Sequence, residues 1–247
     1  MILIYALFGL AVGSFLNVCI DRLPQTESLL SPPSHCSSCG HRLSALDLIP
    51  LLSYLLLRGR CRYCGAPIPW RLPLVELATG SLFALLWSHY DSIVQLALAT
   101  IYACFFVVIF VIDLEHRLVL NRVIYPAIAL ALLAVPFTPN HDLKTLIGGG
   151  AAGFALLFVI ALIRPAGMGM GDVKLATFIG LIVGFPSIFI ALFLAFVAGG
   201  IVGGGLLLTG SKGRKDPVPF APFVVVGGMA AMLYGEEIVD WYLRCWL

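Results

Sequence analysis

Apolar runs of membrane-spanning length recur along most of this 247-residue chain. Such runs must lie in a bilayer or fill the core of a large soluble domain, and composition decides between the two. The chain is 60% hydrophobic and only 11% charged, too little charge to cover a soluble surface of this size. Backbone polar groups in a bilayer must be satisfied internally, which favours helices. The expected fold is therefore an all-α polytopic membrane protein. Eight spans are expected, at roughly 1–20, 73–88, 93–112, 123–137, 145–163, 174–185, 187–209 and 218–240. Residues 1–20 lack a basic n-region and a small-residue cleavage site. They read as a first transmembrane helix, not as a cleavable signal. No internal sequence repeat is visible.

The run 174–209 is long for one span and short for two, with Pro186 near its middle. Charge settles the count. With eight spans and residues 21–72 in the cytoplasm, only Lys144 and Arg244 of the fifteen Lys and Arg residues fall outside, a strong positive-inside pattern. Merging the two short spans moves Lys212, Arg214 and Lys215 outside. Two helices broken at Gly184-Phe185-Pro186 are therefore expected, both short enough to imply local thinning or a water-accessible cavity. Both termini then face out. The chain divides into a first helix (1–20), a polar cytoplasmic segment (21–72) and a seven-helix membrane domain (73–247). The net charge of +2 says little, and no nucleic-acid partner is expected.

The polar segment contains "CSSCG" (36–40) and "CRYCG" (61–65). Each half puts two thiolates on one tight turn, with a glycine after it to relieve the backbone. Together Cys36, Cys39, Cys61 and Cys64 supply four sulfurs for tetrahedral Zn2+. Two disulfides are the alternative, but they need an oxidising compartment, and the charge pattern places this segment in the cytoplasm. Four cysteine ligands leave no open position for catalysis. The metal is expected to be structural, a staple for about fifty residues with few apolar runs. Cys19, Cys104 and Cys245 lie in or beside apolar segments and read as small core residues.

Two carboxylates stand at the membrane boundary. Asp113 closes the third span in "FVVIFVIDLEHRL", and Asp172 opens the sixth in "GMGMGDVKL". Either alone reads equally well as a solvated helix end, and Asp172 also as an N-terminal cap. An ionisable group at such a place is also a functional candidate. Two at one depth, if brought together, cannot both ionise cheaply and share a proton. One can then activate water while the other protonates an amide. Gly167, Gly169 and Gly171 are expected to allow positive φ and close approach of an extended substrate. The alternative is a flexible turn. A phosphate loop is excluded, because position 172 is Asp and no G-K-[ST] follows. Lys174 either tunes Asp172 or anchors the helix on the positive side. Asn17 and Glu76 are read as packing residues, with pairing to an arginine or lining of a cofactor site as alternatives. Glu115 and His116 are expected to face headgroups, and Glu236, Glu237 and Asp240 to form an outer-face cluster. Pro219, Phe220 and Pro222 mark either a substrate-holding loop or a plain helix start.

These features together resemble the bacterial type IV prepilin peptidases (leader peptidase / N-methyltransferase), intramembrane aspartyl proteases of the G-x-G-D type. "GSFLNVCIDRLP" (13–24), the two C-x2-C turns, "PLVELATG" (73–80), "IDLEHRL" (112–118), "GMGDVKL" (169–175) and "PFAPF" (219–223) follow the family's order. Leu120 stands where the family usually has proline, and Ala221 replaces a glycine. The resemblance implies that Asp113 and Asp172 are the catalytic pair. Gly169, Gly171, Lys174, Pro219, Phe220 and Pro222 would contribute to the active-site loops. It further implies a bacterial inner-membrane, multi-pass enzyme with periplasmic termini, in contact with lipid. Its substrates would be prepilins or pseudopilins, cut after a glycine at the end of a short basic leader on the cytoplasmic face. The new N-terminus would then be methylated from S-adenosylmethionine, with residues 21–72 involved in that step. A peptidase without methylation, a transporter using paired carboxylates, and a zinc-bearing scaffold with inert aspartates are the rival readings.

Overall fold

The computed structural model describes residues 1–138, 142–164, 168–210 and 219–246. Among the described residues the chain is helical, with no strand beyond two isolated bridges. The helices are α1 (Ile2–Arg22), α2 (Leu52–Leu56), α3 (Arg71–His89), α4 (Ile93–His116), α5 (Asn121–Ala134), α6 (Leu143–Ile163), α7 (Met170–Val183), α8 (Ser187–Leu208) and α9 (Ala221–Trp246). Apart from the short α2, they fall one for one on the expected spans. Five of them (α1, α4, α6, α8 and most of α9) are long and apolar enough to cross a membrane, so the chain is a multi-pass membrane protein. The other three do not qualify, so length and apolarity alone do not give eight crossings. Helices α5 and α7 have fourteen residues each, about 21 Å against a hydrocarbon core of about 30 Å. Helix α3 opens on Arg71 and carries Glu76. Gly167, Lys212, Arg214 and Lys215 lie outside the described residues.

The chain forms two compact units, Met1–Val108 and Ile109–Leu247. In the first, α3 runs antiparallel along α1. Near the start of α1, Tyr5 packs on Phe83 and Trp87, with ring centroids 5.4 and 5.3 Å apart. Near its end, Asn17 Nδ2 donates to the Leu72 carbonyl at 3.0 Å. The Leu51 N–H donates to Glu76 Oε2 at 2.9 Å. Asn17 and Glu76 thus each hold a backbone group, while Asn17 Oδ1 is buried with no hydrogen-bond partner among the described residues. Buried Arg22 donates to the Ser28 and Pro32 carbonyls, and Arg71 pairs with Asp21 at 2.6 Å. The 21–72 segment is not uniformly polar. Residues 45–57 read "ALDLIPLLSYLLL" and fold as a 3-10 turn (Ala45–Leu48) followed by α2. This corrects the expectation of few apolar runs.

In the second unit α7 is the central helix, contacting α5, α6, α8 and α9. Val173, Leu175, Phe178, Ile179 and Val183 are buried. A helix too short for the bilayer is tolerated where protein, not lipid, surrounds it. Helices α6 and α7 meet backbone to backbone at Gly149 and Gly180, where a Cβ on either would overlap the other. Helix α7 ends at Val183, Gly184 turns with φ +72°, and α8 starts at Ser187. The Phe185 N–H in this break donates to the Thr145 carbonyl at 2.9 Å. The break therefore lies at the expected Gly184-Phe185-Pro186.

Candidate active site and metal centre

Asp113 sits in the last turn of α4 and is only 5% exposed. The helix stops because Arg117 takes φ +55° while its N–H still reaches the Asp113 carbonyl at 2.9 Å, a left-handed C-terminal turn. The chain then extends through Val119 and Leu120 and re-enters helix at Asn121. Asp172 is the third residue of α7 and is half-buried. Its Oδ2 accepts the Gly169 N–H at 3.2 Å, and its own N–H donates to the Gly169 carbonyl at 3.1 Å. It therefore caps its helix, one of the two expected roles. Capping does not exclude the other role, because Asp113 lies near enough for direct Coulombic interaction with Asp172.

Gly171 explains how the two segments meet. A Cβ there would stand 2.8 Å from Cβ of Val119, so only glycine lets the start of α7 lie against the 117–120 connection. Two reasons were expected for these glycines, positive φ and close approach of a substrate; positive φ is not met at Gly169 or Gly171, and the close approach at Gly171 is to Val119. Gly169 has φ −83°, Gly171 is helical, and neither is left-handed.

The "PFAPF" stretch contributes through its backbone. The Ala221 N–H, first in α9, donates to the Asp113 carboxylate. It is one of the donors that a helix N-terminus leaves unpaired, and Pro222 follows where no N–H is needed. The Phe220 ring packs on Phe196 of α8 at 5.4 Å. The sequence pointed to Pro219, Phe220 and Pro222 and passed over Ala221. A backbone donor has no side-chain signature, and the loop motif was the only available signal. Asp113 Oδ2 is buried with no hydrogen-bond partner among the described residues. Arg117 exerts a Coulombic pull on the same carboxylate. Lys174 turns to α5. Its Nζ donates to Asn121 Oδ1 at 2.7 Å and lies 4.8 Å from the Tyr125 ring centroid. Glu115, His116, Glu236, Glu237 and Asp240 are exposed.

The cysteine site belongs to the first unit. Its two turns repeat one another. The Gly40 N–H donates to the Cys36 carbonyl at 2.8 Å, and the Gly65 N–H to the Cys61 carbonyl at 2.9 Å. Both glycines are left-handed, with φ +70° and +72°. Bridges His35–Arg42 and Arg60–Pro67 close the two loops. All four Sγ atoms lie within 4.8 Å of one another, with Cys36 and Cys64 3.9 Å apart. Zn–S bonds of about 2.3 Å imply sulfur–sulfur edges of about 3.8 Å, so the donor set fits Zn2+. None of the four is in a disulfide. The N–H groups of Cys39 and Ser38 bring the Cys36 thiol down to about 6. Despite the Ala66 N–H, desolvation and the Cys39, Cys61 and Cys36 thiols push Cys64 up to about 12. Deprotonated together, four thiolates this close would need a cation between them, and the cluster could hold one. Asp47 braces the second turn, accepting from Ser44 Oγ, Arg62 Nε and Tyr63 Oη. These donors, Ser44 first, hold its carboxyl well below the usual range. Of the remaining cysteines, Cys19 is buried, Cys104 half-buried and Cys245 exposed.

Comparison with known proteins matches residues 7–90 to the Bacterial Peptidase A24 N-terminal domain and residues 100–204 to the Type IV leader peptidase family. The chain is 33% identical over 244 residues to a prepilin leader peptidase/N-methyltransferase of Bacillus subtilis (strain 168), covering 99% of this chain and 98% of that one. It is 34% identical over 274 residues to the Aeromonas hydrophila protein of that name, covering 98% and 93%. The Pseudomonas aeruginosa protein of the same name is 31% identical over 266 residues, covering 96% and 92%. No solved structure matches.

Proposed function

Because the chain belongs to the type IV leader peptidase family, we propose that it is a membrane aspartyl endopeptidase that also methylates the N-terminus it exposes. Its substrates are prepilins or pseudopilins, cut after the glycine that ends a short basic leader. What supports this reading is Asp113, with one buried and unpartnered oxygen, on the helix whose following connection packs at Val119 against Gly171, next to Asp172.

The chemistry uses one proton on two carboxylates. The ionised member takes a proton from water as the water oxygen attacks the scissile carbonyl carbon. The protonated member gives its proton to the carbonyl oxygen. Collapse of the tetrahedral centre breaks the C–N bond, and a proton passes to the leaving amine. The products are a leader with a new carboxylate and a pilin with a new amine. The Ala221 N–H holds Asp113 in place and leaves Oδ2 for the reaction. Gly171 lets the second aspartate approach, Gly169 holds it through its N–H, and Pro219, Phe220 and Pro222 shape the neighbouring loop.

In the second step the new amine forms a bond to the methyl group of its co-substrate S-adenosylmethionine as the carbon–sulfur bond breaks. Residues 21–72 serve this step, held in shape by zinc on Cys36, Cys39, Cys61 and Cys64, and residues 73–247 serve proteolysis. The enzyme sits in the bacterial inner membrane with periplasmic termini and works at the cytoplasmic face, in keeping with the basic residues there.

The test is cleavage of a synthetic prepilin by membranes carrying wild type or Asp172→Asn, with mass spectrometry of the product. Cleavage by wild type alone, with one added methyl group on the pilin, is expected. Equal cleavage by both would overturn the protease assignment.

A further inference from the structure

We infer that residues 46–56 and the arginine-lined groove beside them form a lipid-binding face: the leucines insert into the bilayer surface next to α3, and the groove takes an anionic lipid headgroup. Leu46 and Leu48 lie on the 3-10 turn, Ile49 just after it, and Leu52, Leu55 and Leu56 on α2. They are 39–74% exposed, a run of large apolar side chains that a water-facing segment buries.

The depth of this run follows from three observations in the same unit. Helix α3 lies antiparallel along α1, which is long and apolar enough to span. Trp70, 72% exposed, immediately precedes α3, and tryptophan favours the membrane–water interface. Glu76, whose Oε2 accepts the Leu51 N–H, lies six residues past Trp70, or about 9 Å further along the helix. That tie draws the start of α2 toward the hydrocarbon side of the tryptophan level. Interfacial segments bury apolar side chains about 5–10 Å into the headgroup–acyl boundary.

The chemistry beside the patch matches a phosphate-bearing surface. Immediately after the run come Arg58 and Arg60, which line a groove of about 500 Å3 together with Tyr54, Pro67, Ile68 and Trp70. Its floor is apolar and aromatic, and its cations are exposed. Guanidinium groups suit phosphate oxygens, and anionic leaflets attract such cations.

The test uses the full chain in proteoliposomes of phosphatidylcholine, with or without phosphatidylglycerol. A photoreactive benzophenone side chain replaces Leu55 or, separately, Leu56, with Ser38 on the first cysteine turn as control. Irradiation is expected to give lipid adducts at 55 and 56 and none at 38, with phosphatidylglycerol over-represented relative to its share of the bilayer. In the Arg58→Gln/Arg60→Gln background the adducts remain and the over-representation is lost. Lipid-free positions 55 and 56 in monodisperse protein, or adducts to another polypeptide there, would overturn the insertion. Unchanged phosphatidylglycerol enrichment without the arginines would overturn the headgroup assignment.

Discussion

The cysteine turns and the two aspartates at the helix ends both gather ionisable groups, and they are built in opposite ways. The four thiols sit on two copies of one local turn, each closed by its own glycine and bridge. Each acidic residue instead rests on a different helix end, and the supports differ. Asp113 depends on the backbone of α9 and Asp172 on that of Gly169. The sulfurs lie close enough together to hold a single ion. Asp113 keeps a buried oxygen with no donor. Repetition and saturation suit a site that holds shape, and asymmetry with an unspent acceptor suits one that reacts.

The sharpest way to break this contrast is at the carboxylates. Asp113→Asn is expected to lower the cleavage rate by about 10²–10⁴-fold with protein levels unchanged, measured on a synthetic prepilin. A mild loss would make Asp113 a structural residue like the cysteines. Next in size is the metal. Purified protein should hold about one zinc per chain, and Cys61→Ser should remove it and open residues 21–72 to protease. Cleavage should suffer less than in Asp113→Asn. Elemental analysis finding no metal, with the cysteines oxidised, would contradict both the site and its cytoplasmic placement. Glycines sharpen the comparison further. Gly171→Ala drives a Cβ against Val119 and should destabilise by about 1–3 kcal/mol. Gly169→Ala meets nothing closer than 3.7 Å and should change stability by less than about 0.5 kcal/mol, both read by thermal unfolding in detergent. Smallest is Lys174→Met, which removes the contacts to Asn121 and Tyr125. It should cost about 0.5–1 kcal/mol and leave cleavage nearly intact.

The two regions also differed in how far the sequence disclosed them. Four cysteines at fixed spacing encode their own geometry, because each pair and its glycine act within five residues. The helices were legible for a similar reason: apolar length and the Gly184–Pro186 break are local signals. The aspartates were visible as acids at one depth at span ends, which suggested a pair, and resemblance to a family strengthened that proposal, since no local rule joins positions 113 and 172. Backbone donation by Ala221 was not visible at all. For Gly171 close approach was expected but not its neighbour, because the contact with Val119 exists only after folding. The apolar run 45–57 was in plain sight and was overlooked by treating residues 21–72 as one polar block.

The central claim is that Asp113 and Asp172 work as a unit. The direct test is the kinetics of Asp113→Asn, Asp172→Asn and the double variant on one prepilin substrate. The account predicts that the double variant is no slower than the worse single variant, because either change already removes the shared proton. Rate losses that multiply in the double variant would mean two independent residues, and would contradict the paired-carboxylate mechanism.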